Sequence, residues 1–312
     1  MKQQLYLIIK NFVNQLYNVI YFLILRLKKN RRRKLEFYFS LCAIFKDEAP
    51  YIREWIEFHK LIGVDHIYLY DNFSKDNYSD VLEEYINNGY VTLKKWPFEK
   101  GQISAYEDCF QNYSGATQWL MFLDLDEFIC PKYETDIKKW IIKFEKYPSI
   151  ILYWLMFGTN GIIEYNKNKL VLEQYTNSWE SVRNVGKIIL NTDFEPCTMY
   201  QHHIFSYLKF FGLKFKVPSI NEHKKFIFYP GKEKCPKKGT IQINHYWSKC
   251  LNEYIRKIDK GSAFSIKNEE IKHRLDFFYW HEYQNISDNK VIWRFLVELK
   301  RRLNSIDIKF GK

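Results

Sequence analysis

Trp119-Leu120-Met121-Phe122-Leu123-Asp124-Leu125-Asp126-Glu127-Phe128 is the stretch on which the reading of this chain turns. An apolar run suited to a buried strand stops at three carboxylates. Charge at the end of a buried strand is costly unless a metal ion, a partner charge or solvent in a crevice compensates it. On an extended strand Asp124 and Asp126, two residues apart, project to the same side. Two hard oxygen ligands on one side suit a divalent cation, Mn²⁺ or Mg²⁺, which can in turn hold a diphosphate. By the same alternation Glu127 points the other way, toward packing or orientation.

The segments before this stretch alternate strand and helix. Phe37 to Phe45 reads as a buried strand, Tyr51 to Leu61 as a helix entered through Pro50 and ended by Gly63, and His66 to Tyr70 as a second strand. Tyr78 to Asn87 is a helix closed by Gly89, Val91 to Trp96 a third strand, Gln102 to Tyr113 a helix and Trp119 to Leu123 a fourth strand. Short loops between alternating elements specify an α/β fold with a mostly parallel sheet covered by helices on both faces. Such sheets bind ligands beyond the carboxyl ends of their strands. Lys46, Asp71 and the Asp124/Asp126 pair all fall at that edge. The second half is less regular: a strand from Ile150 to Phe157, the loop Gly158-Thr159-Asn160-Gly161, short strands and basic loops over 183–246, a late strand from Ile241 to Trp247, and a basic amphipathic helix near 289–303.

With 46% apolar and 19% aromatic residues, the 312-residue chain has material for a large core and none of the bias of a disordered protein. Its formal charge of +12 favours anionic partners. The six cysteines, at 42, 109, 130, 197, 235 and 250, form no Cys-x-x-Cys pair, which excludes a zinc framework and fits a reducing compartment. At the N-terminus, Leu5, Ile8, Ile9, Phe12, Leu16, Val19, Ile20, Leu23 and Leu27 recur at helical spacing, with Gln4, Asn11, Asn14, Gln15 and Asn18 between them. That is too polar for a comfortable membrane span and suits a helix lying in a membrane surface. The basic run 28–34 follows and would attract anionic headgroups. The expected organisation is therefore a membrane-proximal segment, 1–34, ahead of a domain at 35–312, on the cytoplasmic side. Removing 1–34 is expected to leave a soluble, active domain.

Five ordered blocks carry a resemblance. They are Cys42-Ala43-Ile44-Phe45-Lys46-Asp47-Glu48-Ala49-Pro50 with Tyr51 to Trp55; Gly63 to Asn72 with Ser74 and Asp76; Asp124 to Phe128; Phe157 to Gly161; and Asn244-His245-Tyr246-Trp247-Ser248-Lys249. Together they resemble glycosyltransferase family 92 and the related bacterial glycosyltransferase-2-like group, over roughly residues 38 to 300. The resemblance implies a GT-A, Rossmann-like fold, with 35–130 as the nucleotide-sugar-binding half and 131–312 as the acceptor half. It also implies a nucleotide-diphosphate sugar donor, a divalent cation and an inverting transfer. Asp126 is then the leading metal ligand, with Asp124 beside it at the ribose or metal and His245 completing the set. Asp71 would meet the uracil or ribose. Lys46 and Glu48 would border the nucleotide, Gln102 and Tyr106 line the donor pocket, and Lys249 face the diphosphate. Where the family pattern suggests Gly-Ser-Ser-Gly-His, this chain has Gly158-Thr159-Asn160-Gly161-Ile162, so the acceptor is left open.

An inverting transfer needs one group to take the acceptor proton. Glu173, beside a Val-Leu segment that reads as a strand, is the favoured candidate; Glu164, His202 and His203 are the others. The implied acceptor is a glycan or a lipid-linked saccharide. The competing readings are a nucleotidyl- or phosphoglycosyl-transferase, which shares the same metal logic, and a nucleic-acid-binding protein. The last has the charge but none of the usual recognition patterns, and it has no need of a carboxylate pair in its groove.

Overall fold

The computed structural model describes residues 2–27, 34–200, 202–210, 212–229, 231–233, 235–236, 239–260 and 271–308. Among these, eight strands form the central sheet: β1 (Phe37–Phe45), β2 (His66–Asp71), β3 (Val91–Lys95), β4 (Thr117–Phe122), β5 (Glu127–Pro131), β6 (Ser149–Met156), β7 (Gly186–Asn191) and β8 (Ile241–His245). Their order is β3-β2-β1-β4-β7-β6-β8-β5. The pairs β1–β2, β2–β3, β1–β4 and β6–β8 are parallel. The inserted β7 runs against both β4 and β6, and β5 runs against β8. The helices are α1 (Lys2–Leu27), α2 (Ala49–Leu61), α3 (Tyr78–Asn87), α4 (Gln102–Tyr113), α5 (Leu251–Lys260), α6 (Ile271–Tyr283) and α7 (Leu296–Ile308), with shorter turns between them.

Strand alternation builds a core on each face of the sheet. From β1, Phe39, Leu41, Ala43 and Phe45 join Ile52, Trp55 and Ile56 of α2 and Leu82 of α3. Cys42 and Ile44 project to the opposite face, onto Ala105, Tyr106 and Cys109 of α4. A strand covered on both sides must be apolar throughout, which is why β1 reads as an unbroken hydrophobic run. Fully burying a side chain such as Leu41 contributes about 1.5–3 kcal/mol. A smaller antiparallel sheet (Phe205–Phe210, Leu213–Pro218 and Glu195–Pro196) packs on this body through Leu208 and Val217.

The sheet is strongly curled, and its connectivity requires this. From β4 to β5 there are four strand spacings, about 19 Å across a flat sheet. Yet only Leu123 to Asp126 join them, and those residues close a turn in which Glu127 N–H donates to the Asp124 carbonyl at 3.0 Å. The far edge therefore folds back toward the end of β4, bringing β8 and its His245 with it.

Two features differ from the sequence reading. First, α1 is docked rather than separable. Asn14 exchanges hydrogen bonds with both backbone groups of Phe226 (3.0 and 3.1 Å), Tyr17 donates to the Lys216 carbonyl, and the buried Tyr21 donates to that of Lys146. Truncation at residue 34 would uncover these partners, so a clean, fully stable domain is not the expected product. Phe12, Leu16, Val19, Ile20 and Leu23 nevertheless face outward, each about half exposed or more. No described helix is long and apolar enough to cross a membrane. Residues 28–33 of the basic run lie outside the described residues. Second, Glu173 is not beside a strand. Val171–Gln174 is a one-turn helix, whose first N–H groups (Val171 and Leu172) donate at 2.8 and 3.1 Å to Glu54 on α2.

Glu54 gives a pH-dependent prediction. Burial pushes its carboxyl up to about 7 from the ordinary 4.5, against the lowering effect of those two N–H groups. The folded chain then holds this proton more tightly than the unfolded chain. The stability it contributes is complete below about pH 4.5 and is lost as the pH rises through about 7. In urea unfolding, Glu54→Gln removes that slope. The stability difference between wild type and variant should therefore move against the wild type by about 3 kcal/mol between pH 4.5 and 7.5.

Candidate active site

The carboxyl edge of the sheet carries the chemistry. Five of the six described non-glycine residues with positive φ (Asp47, Phe73, Lys100, Asn160 and Lys249) occupy loops leaving β1, β2, β3, β6 and β8 at this edge. Strained backbone of this kind concentrates where side chains must be aimed.

The acidic triplet is a turn, not a strand end. Extended alternation therefore does not apply, and the expectations for Asp124 and Glu127 both change. Asp124 is taken up by protein groups: Lys187 Nζ lies 2.7 Å from Oδ2, while Gln102 Nε2 and Tyr106 Oη each lie 3.3 Å from Oδ1. Gln102 and Tyr106 stand one turn apart on α4, so that helix presents both to the same carboxylate. Glu127, expected to point away, sits inside the cluster. It opens β5 directly opposite His245 of β8. Paired positions share a face, and the two side chains meet there.

The resulting group is Asp126, Glu127 and His245, whose candidate ligand atoms all lie within 4.8 Å of one another. His245 Nε2 is 3.5 Å from Asp126 Oδ1, and Nδ1 is 3.9 Å from Glu127 Oε1. Both Nδ1 and Glu127 Oε1 are buried and lack a hydrogen-bond partner among the described residues. Orphaned buried polar atoms are uncommon and call for an explanation, and a bound ion is one. Two carboxylates and an imidazole make a donor set that fits Mn²⁺.

Four lysines balance four carboxylates here. Lys187, fully buried on β7, lies 2.7 Å from Asp124 and 3.7 Å from Glu127. Lys257 on α5 is 2.5 Å from Asp126 Oδ2. Lys260 and Lys249 clasp Glu48 at 3.0 and 3.2 Å. Lys260 also donates to the carbonyls of Lys46 and Asp47, and Lys249 lies 3.6 Å over the Tyr51 ring. Lys46 Nζ reaches back to the Lys260 carbonyl at 3.4 Å.

These charges set the protonation states. Burial alone would raise the Asp126 carboxyl, but the Lys257 charge, with a hydrogen bond from His245, holds it well below the usual carboxylate range. Burial pushes Glu127 well above that range despite Lys187, with Asp124 and Asp126 adding to the rise. Burial lowers His245 against the pull of Asp126, leaving a neutral imidazole available as a ligand.

Gly186 makes room for Lys187. A Cβ at that position would lie 1.7 Å from the Leu152 carbonyl oxygen, so a larger residue would push β7 off β6 and displace its neighbour. Lys187 escaped sequence reasoning, because nothing local marks a strand lysine as buried.

Asp71 ends β2 at the same edge, buried, with its oxygens already used. It accepts from Ser74 N–H, Tyr78 Oη and Lys95 Nζ, each at 2.9 Å. Burial raises its carboxyl, and these bonds together hold it below the ordinary value. Glu173 is bound to the Leu170 N–H and to Lys300 of α7, and no described hydrogen bond or ion pair joins it to the cluster. Glu164 meets only Asn252 among its described partners, at 3.5 Å. His202 is half-buried, edge-on to Trp154 and paired with the Gly186 carbonyl.

Residues 36–293 match the model of Glycosyltransferase family 92. The chain belongs to glycosyltransferase family 92. Among curated proteins, this family 92 chain is 31% identical to Beta-1,4-galactosyltransferase galt-1 of Caenorhabditis elegans, over 76% of its own length and 55% of the relative's. It is 34% identical to Glycosyltransferase family 92 protein Os08g0121900 of Oryza sativa subsp. japonica, over 33% of its length and 18% of that protein's. It therefore spans only part of these relatives. The crystal structure of S. aureus TarS 1-349 in complex with UDP overlaps with a TM-score of 0.32 and 17% identity, over 41% of this chain and 38% of that one. An overlap of that size carries no weight for function.

Proposed function

We propose that this family 92 chain is a metal-dependent glycosyltransferase. It moves a sugar from a nucleotide-diphosphate sugar, a UDP-sugar, to a hydroxyl of a glycan or lipid-linked saccharide. The transfer proceeds with inversion and serves surface polysaccharide synthesis. The carrying observation is the convergence of Asp126, Glu127 and His245, two of their atoms unpartnered, beside a lysine-lined cleft at the carboxyl edge. Asp126, Glu127 and His245 would hold the cation. When bound, a divalent cation offsets charge on the departing diphosphate. Lys187 holds Asp124 in place, and Gln102 and Tyr106 fix its outer face toward the donor. Lys249 and Lys260 bring positive charge to the diphosphate once released from Glu48. Donor transfer should be measured with UDP-galactose first, given the name of the nematode relative, with saccharide acceptors and with Mn²⁺ or a chelator. Cation-dependent release of UDP is the expected result; no turnover with any nucleotide sugar would overturn the reading.

The proposed location is the inner face of a membrane, with α1 lying in an anionic lipid surface. The domain occupies one side of α1, leaving its outward apolar stripe for lipid, and the basic run 28–34 follows directly. Because Leu16, Ile20 and Leu23 make up part of that stripe, the triple variant Leu16→Gln, Ile20→Gln, Leu23→Gln should keep its melting temperature. Its sedimentation with phosphatidylserine vesicles should fall about tenfold or more. Unchanged sedimentation would refute the lipid-facing role of α1.

A further inference from the structure

A lysine of α5 already occupies the carboxylate that a cation would need. Lys257 Nζ lies 2.5 Å from Asp126 Oδ2 and also donates to the Trp247 carbonyl at 3.2 Å. It is not a remote salt-bridge partner, because the cleft at Asp126 is bounded by the same short segment: Lys249, Lys257, Lys260 and the Arg256–Glu253 ion pair, together with Glu48 and Asp126. As it stands the cleft leaves about 20 Å³ of free volume, and its basic side chains need anions. At present those anions are the site's own carboxylates.

We propose that Lys257 is an exchangeable counter-ion: it holds the place of the divalent cation on Asp126, yields it when the cation enters, and passes to the donor's diphosphate. This rests on the cation-and-diphosphate reading given above. The physical reason is charge balance. Asp126, in a mostly enclosed site, is costly without a cation, and two cations on one carboxylate repel each other. A cation arriving alone must displace Lys257 into solvent. One arriving with a diphosphate leaves Lys257 a new partner on the same wall. Cation and donor binding are therefore coupled, and the coupling runs through one side chain.

Calorimetric titration of Mn²⁺ into wild type, Lys257→Met and Lys257→Arg, each with and without UDP, tests this. Electron paramagnetic resonance of free Mn²⁺ provides a second readout. Lys257→Met is expected to bind Mn²⁺ alone about tenfold more tightly than wild type, since a charge-assisted pair no longer competes. The factor by which UDP strengthens Mn²⁺ binding should shrink by about tenfold in the same variant. Lys257→Arg, keeping the charge, should resemble wild type. If Lys257→Met fails to fold, Lys257→Gln replaces it with the same expectations. Equal or weaker Mn²⁺ affinity in the neutral variant, or an unchanged effect of UDP, overturns the exchange while leaving the transferase reading intact. A wild-type protein that binds neither Mn²⁺ nor UDP overturns both.

Discussion

Asp126→Ala is expected to abolish sugar transfer and donor hydrolysis, by about a thousand-fold or more, while the protein stays folded. Asp126 is the carboxylate in contact with both His245 and Lys257, so its removal dismantles the ligand group at its centre. Folding should survive because the partner left behind is not trapped: the Lys257 side chain is 45% exposed and can return to water. The checks are initial rates with UDP-sugar and Mn²⁺, beside a melting curve displaced by no more than a few degrees. Substantial residual activity would remove Asp126 from the chemistry.

The second large effect is on stability. Lys187 has no exposed surface, and it is the cation adjoining both Asp124 and Glu127. Deleting one member of a buried ion group leaves uncompensated charge, at a cost of about 3–5 kcal/mol. Lys187→Met keeps the volume but not the charge, and should lower the melting temperature by about 10 °C. Adding Asp124→Asn to that variant should restore a good part of the loss, since Asp124 is the carboxylate that Lys187 holds at 2.7 Å and its charge is removed with it. A Lys187→Met protein within about 1 kcal/mol of wild type would show that the group is neutralised in another way.

These two residues differ in how far the sequence exposed them, and the difference is instructive. Asp126 stands after a fully apolar run, and an unpaired charge there is conspicuous by itself. Lys187 becomes meaningful only when β7 is inserted between β4 and β6. That strand is hard to see locally, because it begins at a glycine and carries a lysine in its second position. The first half of the sheet was legible: β1 and the helices α3 and α4 lie where periodicity puts them, since each has a continuous apolar pattern and a glycine or loop stop. The strand β5 was hidden because its first residue is Glu127, whose charge reads as an end and not a beginning.

The site was legible as a set of residues and not as a geometry. Asp126 and His245 were expected together, and they meet. The placement of Glu127 failed because period-two alternation assumes an unbroken strand, and the chain turns at residues 124–126. The lysines of α5 were missed for a similar reason. Lys257 and Lys260 carry no local mark of function until their helix brings them over the cleft. The docking of α1 depends on Asn14 pairing with Phe226, 212 residues away, which no local pattern encodes.

The curl of the sheet has one more effect. Asp126 and Glu127 belong to the stretch where the backbone jumps from the middle of the sheet to its rim, and His245 comes from the strand beside that rim. The four-residue link Leu123–Asp126 thus tethers the strand pair that carries them to the end of β4. A ligand held by the three would pin that tether at its far end, so that occupancy at one small spot would be felt at the junction between the middle of the sheet and its rim.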